Sequence, residues 1–176
     1  MAGLAREYKK YGNIGLAFTY NEPLVGYEFV RDTAKFARAF GMKNVLVTNG
    51  SAELEILEEL LPYIDAMNID LKGFTEAYYR KLGGDLETVK RFIRRSAEAC
   101  HVELTTLILP GENDSEKEME EEAKWIASID PDIPLHVTRF FPRYKMTDRQ
   151  ATEVGKVYRL KECAEKYLKY VYTGNC

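Results

Sequence analysis

The chain has 176 residues, with 25 Lys and Arg against 28 Asp and Glu, so its formal charge is −3; 45% of its residues are hydrophobic. That balance excludes disordered and collagen-like sequence and argues against a general nucleic-acid binder, while the length suits one domain, residues 1–176, with its own core. No apolar run is long enough to span a membrane and the first residues lack the apolar centre of a signal peptide, so a cytoplasmic protein without membrane or nucleic-acid partners is expected.

In chain order, residues 13–19 read as a buried strand. Pro23 then opens a helix at its first turn, where a missing N–H costs little. Phe29, Thr33, Phe36, Ala37 and Phe40 predict its buried face, and Gly41 ends it. Residues 44–48 form a second strand, and Asn49-Gly50-Ser51 turns into a helix carrying Leu54, Leu57, Leu60 and Leu61. A third strand spans 66–71. Helices over 75–82 and 86–99 flank Gly83-Gly84-Asp85, and a fourth strand, 102–109, ends at Pro110-Gly111. Asp114 or Ser115 caps the next helix, with Glu118 placed for a capping box with Ser115 and Met119, Ala123 and Ile126 as the inner stripe. Residues 134–140 give a fifth strand, a helix follows near 150–167, and 170–174 is the last strand.

Strands alternating with helices imply right-handed βαβ units and a parallel sheet. Neither GxGxxG nor GxxxxGK[ST] follows any strand, so dinucleotide and P-loop readings fail. A full eight-stranded barrel takes about 250 residues. The expected fold is therefore α/β: a partial (β/α) barrel with a parallel sheet of about six strands.

In such sheets chemistry gathers at the carboxyl ends of the strands. Those ends carry Thr19-Tyr20-Asn21-Glu22-Pro23, Thr48-Asn49-Gly50, Asp70-Leu71-Lys72 and Pro110-Gly111-Glu112-Asn113-Asp114, and the fifth strand carries His136 and Arg139. Alternation puts Asp70 and Lys72 on one side of their strand and Leu71 on the other. The pair can hold a hydroxyl and a carboxylate of one ligand, or it can be an ion pair within the barrel. His136 reads either as a site residue or as a hydrogen-bonded structural one, and His101, at the opposite strand end, as structural. Glu116, Glu118, Glu120, Glu121 and Glu122 read as a solvated helix face at the positive dipole end, and Lys90, Arg91, Arg94 and Arg95 as another solvated face toward the C-terminal half of their helix, where cations are favoured. Cys100, Cys163 and Cys176 are too widely spaced for a CxxC or CxxxCxxC metal motif, and Cys100 and Cys163 read as half-buried structural thiols.

The segments AFTYNEPL (17–24), NVLVTNG (44–50), MNIDLKGF (67–74), TTLILPGENDS (105–115) and PLHVTRFFPRYKMTDR (134–149) stand in register at successive strand ends. In this the chain resembles the radical S-adenosylmethionine (SAM) superfamily, in particular enzymes like the pyruvate formate-lyase activating enzyme and the branch associated with AMMECR1 and Memo proteins. The resemblance starts near Gly12, and residues 1–12 then correspond to a remnant of the first helix. It implies that Tyr20, Asn21 and Glu22 match the Gly-Gly-Glu segment holding the methionyl amino group. Asp70 matches the residue at the SAM ribose, or at a cation near the carboxylate. Lys72, beside Leu71, matches the residue meeting the carboxylate, and Thr48 and His136 match residues lining the same mouth.

The family pairs SAM with a four-iron–four-sulfur cluster to make a 5′-deoxyadenosyl radical, directed in the activases at a backbone glycine of a partner enzyme. The CxxxCxxC loop and first barrel strand of the family find no match in this sequence, so the chain is not expected to bind the cluster or to act alone. Val47 stands where the activase has a carboxylate for a monovalent cation, so that cation is not expected either. No residue is singled out as catalytic. Two other readings remain open: a barrel enzyme using Lys72 as a Schiff-base nucleophile, with Asp70 moving its proton, and a non-catalytic domain that binds SAM or associates with itself or a partner through an open sheet edge.

Overall fold

The computed structural model describes residues 1–176. Helices and strands alternate along the whole chain, as the apolar pattern predicts. Helix α1 (Ala2–Glu7) precedes β1 (Gly15–Phe18), followed by a 3₁₀ turn (Pro23–Gly26), α2 (Tyr27–Ala39), β2 (Lys43–Thr48), α3 (Leu54–Leu60) and β3 (Ala66–Asp70). After these come α4 (Glu76–Leu82), α5 (Leu86–Ala97), β4 (His101–Ile108), α6 (Glu116–Ile129), β5 (Leu135–Arg139), α7 (Val154–Ala164) and β6 (Val171–Gly174). The fold class is the expected one, an α/β partial barrel of six parallel strands. No helix is long and apolar enough to cross a membrane.

Two compact units divide the chain. One comprises Met1–Ile69 with Glu87–Val102, the other Asp70–Leu86 with Glu103–Cys176. In the first, β1 pairs with β2 and β2 with β3, all parallel. Gly15 lets β1 approach β2, because a Cβ there would lie 2.1 Å from the Lys43 carbonyl oxygen. Gly50 takes a left-handed φ of 67° and sits against Ile69, Val89 and Phe92, so the turn after β2 needs both the missing Cβ and the backbone freedom. In the second unit β4 pairs with β5 and β5 with β6, again parallel, with His136 opposite Thr105 on one side and Tyr172 on the other.

The inward face of α2 differs in part from the expected one. Ala37 is buried as expected and Phe40 is partly buried against the core, but Val30 and Ala34 complete the inward face, while Phe29 and Phe36 are 59% and 63% exposed. The small residues allow close packing, with Ala37 in a cluster with Ala2, Ala5 and Met42, and the aromatic stripe is turned about one residue away from it.

The glutamate face of α6 also departs from expectation. Glu118 and Glu122 are buried, at 7% and 1% exposure. They lie one turn apart beside Met119, Ala123 and Ile126, so the inner stripe includes them. Ser115 caps the helix by accepting from the Glu118 N–H, but the Glu118 carboxylate accepts from the Phe74 N–H instead of closing a capping box.

Candidate functional site

In the first unit the exits of β1 and β2 are joined by one carboxylate. Glu22 caps the 3₁₀ turn that follows it, with Oε1 accepting from the Leu24 N–H at 3.1 Å. The same oxygen accepts from Thr48 Oγ1 at 2.6 Å, and Oε2 accepts from the Asn49 N–H at 2.8 Å. Thr48, 2% exposed, also accepts from the Gly50 N–H. Three donors from two strand exits therefore converge on Glu22.

Immediately before it, Tyr20 and Asn21 both take left-handed backbone, with φ of 62° and 47°. These are the two positions where the resemblance puts glycine, and the conformation is one glycine adopts without strain. Tyr20 is 90% exposed, so no side-chain packing offsets its strain. Replacing Tyr20 by Gly is therefore expected to raise stability by about 0.5–1 kcal/mol in urea denaturation, the relief of αL strain exceeding the extra chain entropy of glycine. The turn borders a cavity of about 530 Å³ whose walls include Phe18, Tyr20, Asn21, Glu22, Val25 and Phe29.

In the second unit Asp70 closes β3 and Lys72 follows two residues on, with Leu71 fully buried between them. Lys72 Nζ donates to Asp70 Oδ2 at 2.5 Å, and the two side chains keep 39% and 32% of their surface exposed. The backbone here is held by buried side chains. The Lys72 N–H donates to Tyr79 Oη, the Lys72 carbonyl accepts from Asn113 Nδ2, and the Phe74 N–H donates to Glu118. Burial raises the Tyr79 hydroxyl and the Glu118 carboxyl above their ordinary ranges, so each is biased toward its neutral form.

From the sequence, Asn113 reads only as one of the polar residues at the end of the fourth strand, Glu118 only as a capping-box and solvated-face residue, and Tyr79 has no role. The signal for burial of Glu118 is its spacing on the apolar stripe of α6. Nothing local marks the contacts of Tyr79 and Asn113 to Lys72, because those partners are backbone groups remote in sequence.

His136 lies one residue in from the start of β5. Its Nε2 is 2.7 Å from Glu103 Oε2, and its ring stacks on Tyr172 with centroids 5.4 Å apart. The structure thus gathers the expected residues into three local groups: Tyr20, Asn21, Glu22 and Thr48; Asp70, Leu71 and Lys72; and His136 with Glu103 and Tyr172. Thiolate chemistry is disfavoured at two of the cysteines. Burial pushes the Cys100 thiol up to about 11 and moves Cys163 upward as well. No group of three or more His, Cys, Asp or Glu side chains is arranged to hold a metal ion.

Comparison with known proteins places the chain in a family. The chain is 38% identical over 169 residues to an uncharacterized protein of Methanocaldococcus jannaschii, a match covering 94% of this chain and 50% of that protein. It is 23% identical over 157 residues to the (2S)-3-sulfopropanediol dehydratase activating enzyme of Klebsiella oxytoca, covering 88% of this chain and 49% of that one. The chain thus spans about half the length of these curated relatives. Its fold matches the crystal structure of a domain of the pyruvate-formate lyase-activating enzyme from Bacteroides vulgatus with a TM-score of 0.77, at 23% identity, covering 92% of this chain and 99% of that one. The Radical SAM superfamily model matches residues 1–123, well over half of the sequence, and the chain belongs to the radical SAM superfamily.

Proposed function

We propose that this chain is the SAM-binding core of a radical SAM enzyme of the activating-enzyme kind. The observation that carries the reading is the Asp70–Lys72 pair: an acceptor and a donor, side by side at the end of a parallel strand, half exposed and set on a clamped backbone. Lys72 would give its ammonium to the methionyl carboxylate, and Asp70 would accept from the ribose hydroxyls. The carbonyls and the acceptor-rich edge of the Tyr20-Asn21-Glu22 turn would meet the methionyl ammonium, with Thr48 and His136 lining the ligand. A half-exposed ion pair contributes about 0–1 kcal/mol, so a ligand carboxylate can displace Asp70 from Lys72 at little cost.

When bound beside a reduced four-iron–four-sulfur cluster, SAM supplies a 5′-deoxyadenosyl radical. With no cluster ligand set among its own cysteines, this chain is proposed to bind SAM without turning it over by itself. The relatives' names, activating enzymes of a dehydratase and of a decarboxylase, support a protein target for the complete activity, and a backbone glycine as the target site is what the resemblance to the activases implies. The Lys72–Asp70 bond serves the Schiff-base reading equally well, and it is the match to the Radical SAM superfamily that favours the SAM reading.

Isothermal calorimetry tests the site. SAM titrated into the chain is expected to give saturable heat, and Asp70→Ala and Lys72→Ala are each expected to weaken affinity about tenfold, the loss of one charge-assisted contact. Absence of binding by the unaltered chain, or affinity in both variants unchanged from that of the unaltered chain, would refute the assignment.

A further inference from the structure

Lys72 is held at both of its backbone groups by buried side chains from separate elements. Its N–H donates to Tyr79 Oη of α4 at 3.1 Å, and its carbonyl accepts from Asn113 Nδ2, in the turn after β4, at 2.8 Å. Tyr79 is 3% exposed and Asn113 is 2% exposed. The Asn113 amide has both ends engaged, since Nδ2 also donates to the Leu107 carbonyl at 2.9 Å and Oδ1 accepts from the Leu109 N–H at 2.8 Å. The next residue, Gly73, packs closely on the same elements, since a Cβ there would lie 2.7 Å from the Tyr78 ring.

A buried hydroxyl or amide that lost such partners would carry an uncompensated desolvation cost, so this arrangement is over-determined. Yet the residue it fixes carries an ammonium that is 39% exposed and paired only with Asp70 among the contacts described above. Fixing the Lys72 Cα and the direction of its Cα–Cβ bond reduces the conformations the four-carbon stem must give up when it meets a ligand.

We propose that Tyr79 and Asn113 are positioning residues for Lys72, which set the reach of its ammonium toward the carboxylate of the bound ligand. The inference rests on the SAM-site reading above and adds two residues that touch no ligand themselves. It differs from a purely structural role in one respect: it concerns the carboxylate end of the ligand alone.

The test uses the full chain, two nucleosides and one exchange measurement. SAM carries the carboxylate; 5′-methylthioadenosine keeps the adenine and ribose and lacks it. Tyr79→Phe removes only the acceptor of the Lys72 N–H. It is expected to weaken SAM about three- to tenfold, one hydrogen bond's worth, to leave methylthioadenosine unchanged, and to speed hydrogen exchange of the Lys72 amide about tenfold. Asn113→Ala is expected to show the same split between the two nucleosides. Equal loss for both nucleosides, or no loss for either, overturns the proposal. Should the unaltered chain bind neither nucleoside, the site reading falls on that result alone. The exchange rate then decides the clamp separately: unchanged exchange in Tyr79→Phe removes it, and accelerated exchange retains it.

Discussion

Glu122→Gln is expected to stabilise the chain by a few kcal/mol at pH 8–9 and to leave it unchanged near pH 4. Glu122 is 1% exposed, and its Oε1 accepts from Thr106 Oγ1 at 2.5 Å. Burial, chiefly, pushes its carboxyl from 4.5 up to about 8; the Thr106 bond opposes that shift and the neighbouring Glu118 adds to it. A carboxyl whose folded value is raised holds a proton in the native state that the unfolded chain has released. Its contribution to stability is therefore complete below about 4.5 and is lost as pH rises through about 8. A shift of that size corresponds to a loss on the order of a few kcal/mol. Gln reproduces the neutral acid: its amide oxygen accepts from Thr106 and its NH₂ stands where the acid carried its proton. Denaturant titrations from pH 4 to pH 9 should show the unaltered chain weakening while the Gln variant holds, apart from a residual slope of the same sign from Glu118. Superimposable profiles for the two proteins would mean that Glu122 is not a buried, neutral acid.

Glu122 also shows where the sequence stopped being legible. Five glutamates in seven residues at a helix start read as a solvated face, because charge at the positive dipole end usually is one. Two of them are turned inward by partners far along the chain, the Phe74 N–H and the Thr106 hydroxyl, which no local pattern announces. Helix α2 failed in the opposite sense. Its phenylalanines outweigh Val30, Ala34 and Ala37 in hydrophobicity, but packing distance favours the small side chains, and the aromatic stripe is left at the surface.

The parallel β/α alternation was legible because strand and helix periods are local properties. The site was legible in its exposed members. Alternation alone put Asp70 and Lys72 on one side, and the structure pairs them. The contacts of Tyr79 and Asn113 to the Lys72 backbone left no mark in the sequence, although Asn113 itself stands among its polar strand-end residues. The candidate site thus shows in its polar strand-end groups, and the geometry that holds them shows only in three dimensions.

Glu22→Ala is expected to cost about 2–4 kcal/mol of stability, the largest loss among exposed or half-buried strand-end residues. Removing the carboxylate leaves the Leu24 N–H, the Asn49 N–H and the hydroxyl of buried Thr48 without their acceptor. Bonds to a charged acceptor contribute about 1.5–3 kcal/mol each when dry and less where water can replace the partner, which sets that range for three of them. Glu22→Gln should cost about half as much: its oxygen still serves Leu24 and Thr48, but its NH₂ meets the Asn49 N–H donor to donor. Urea denaturation of the three proteins gives the order directly, and a Glu22→Ala chain within about 0.5 kcal/mol of the original would exclude the strap.

The same variants separate two roles for Glu22 in ligand binding. The three donors occupy most of its acceptor capacity, so its first role is to tie the strained Tyr20-Asn21 turn to the end of β2. On that account stability and SAM affinity fall together from Glu to Gln to Ala, because the turn proposed to meet the methionyl ammonium loosens as the strap is cut. A direct contact with the ligand would instead show affinity falling steeply at Gln, where the charge is lost, ahead of stability.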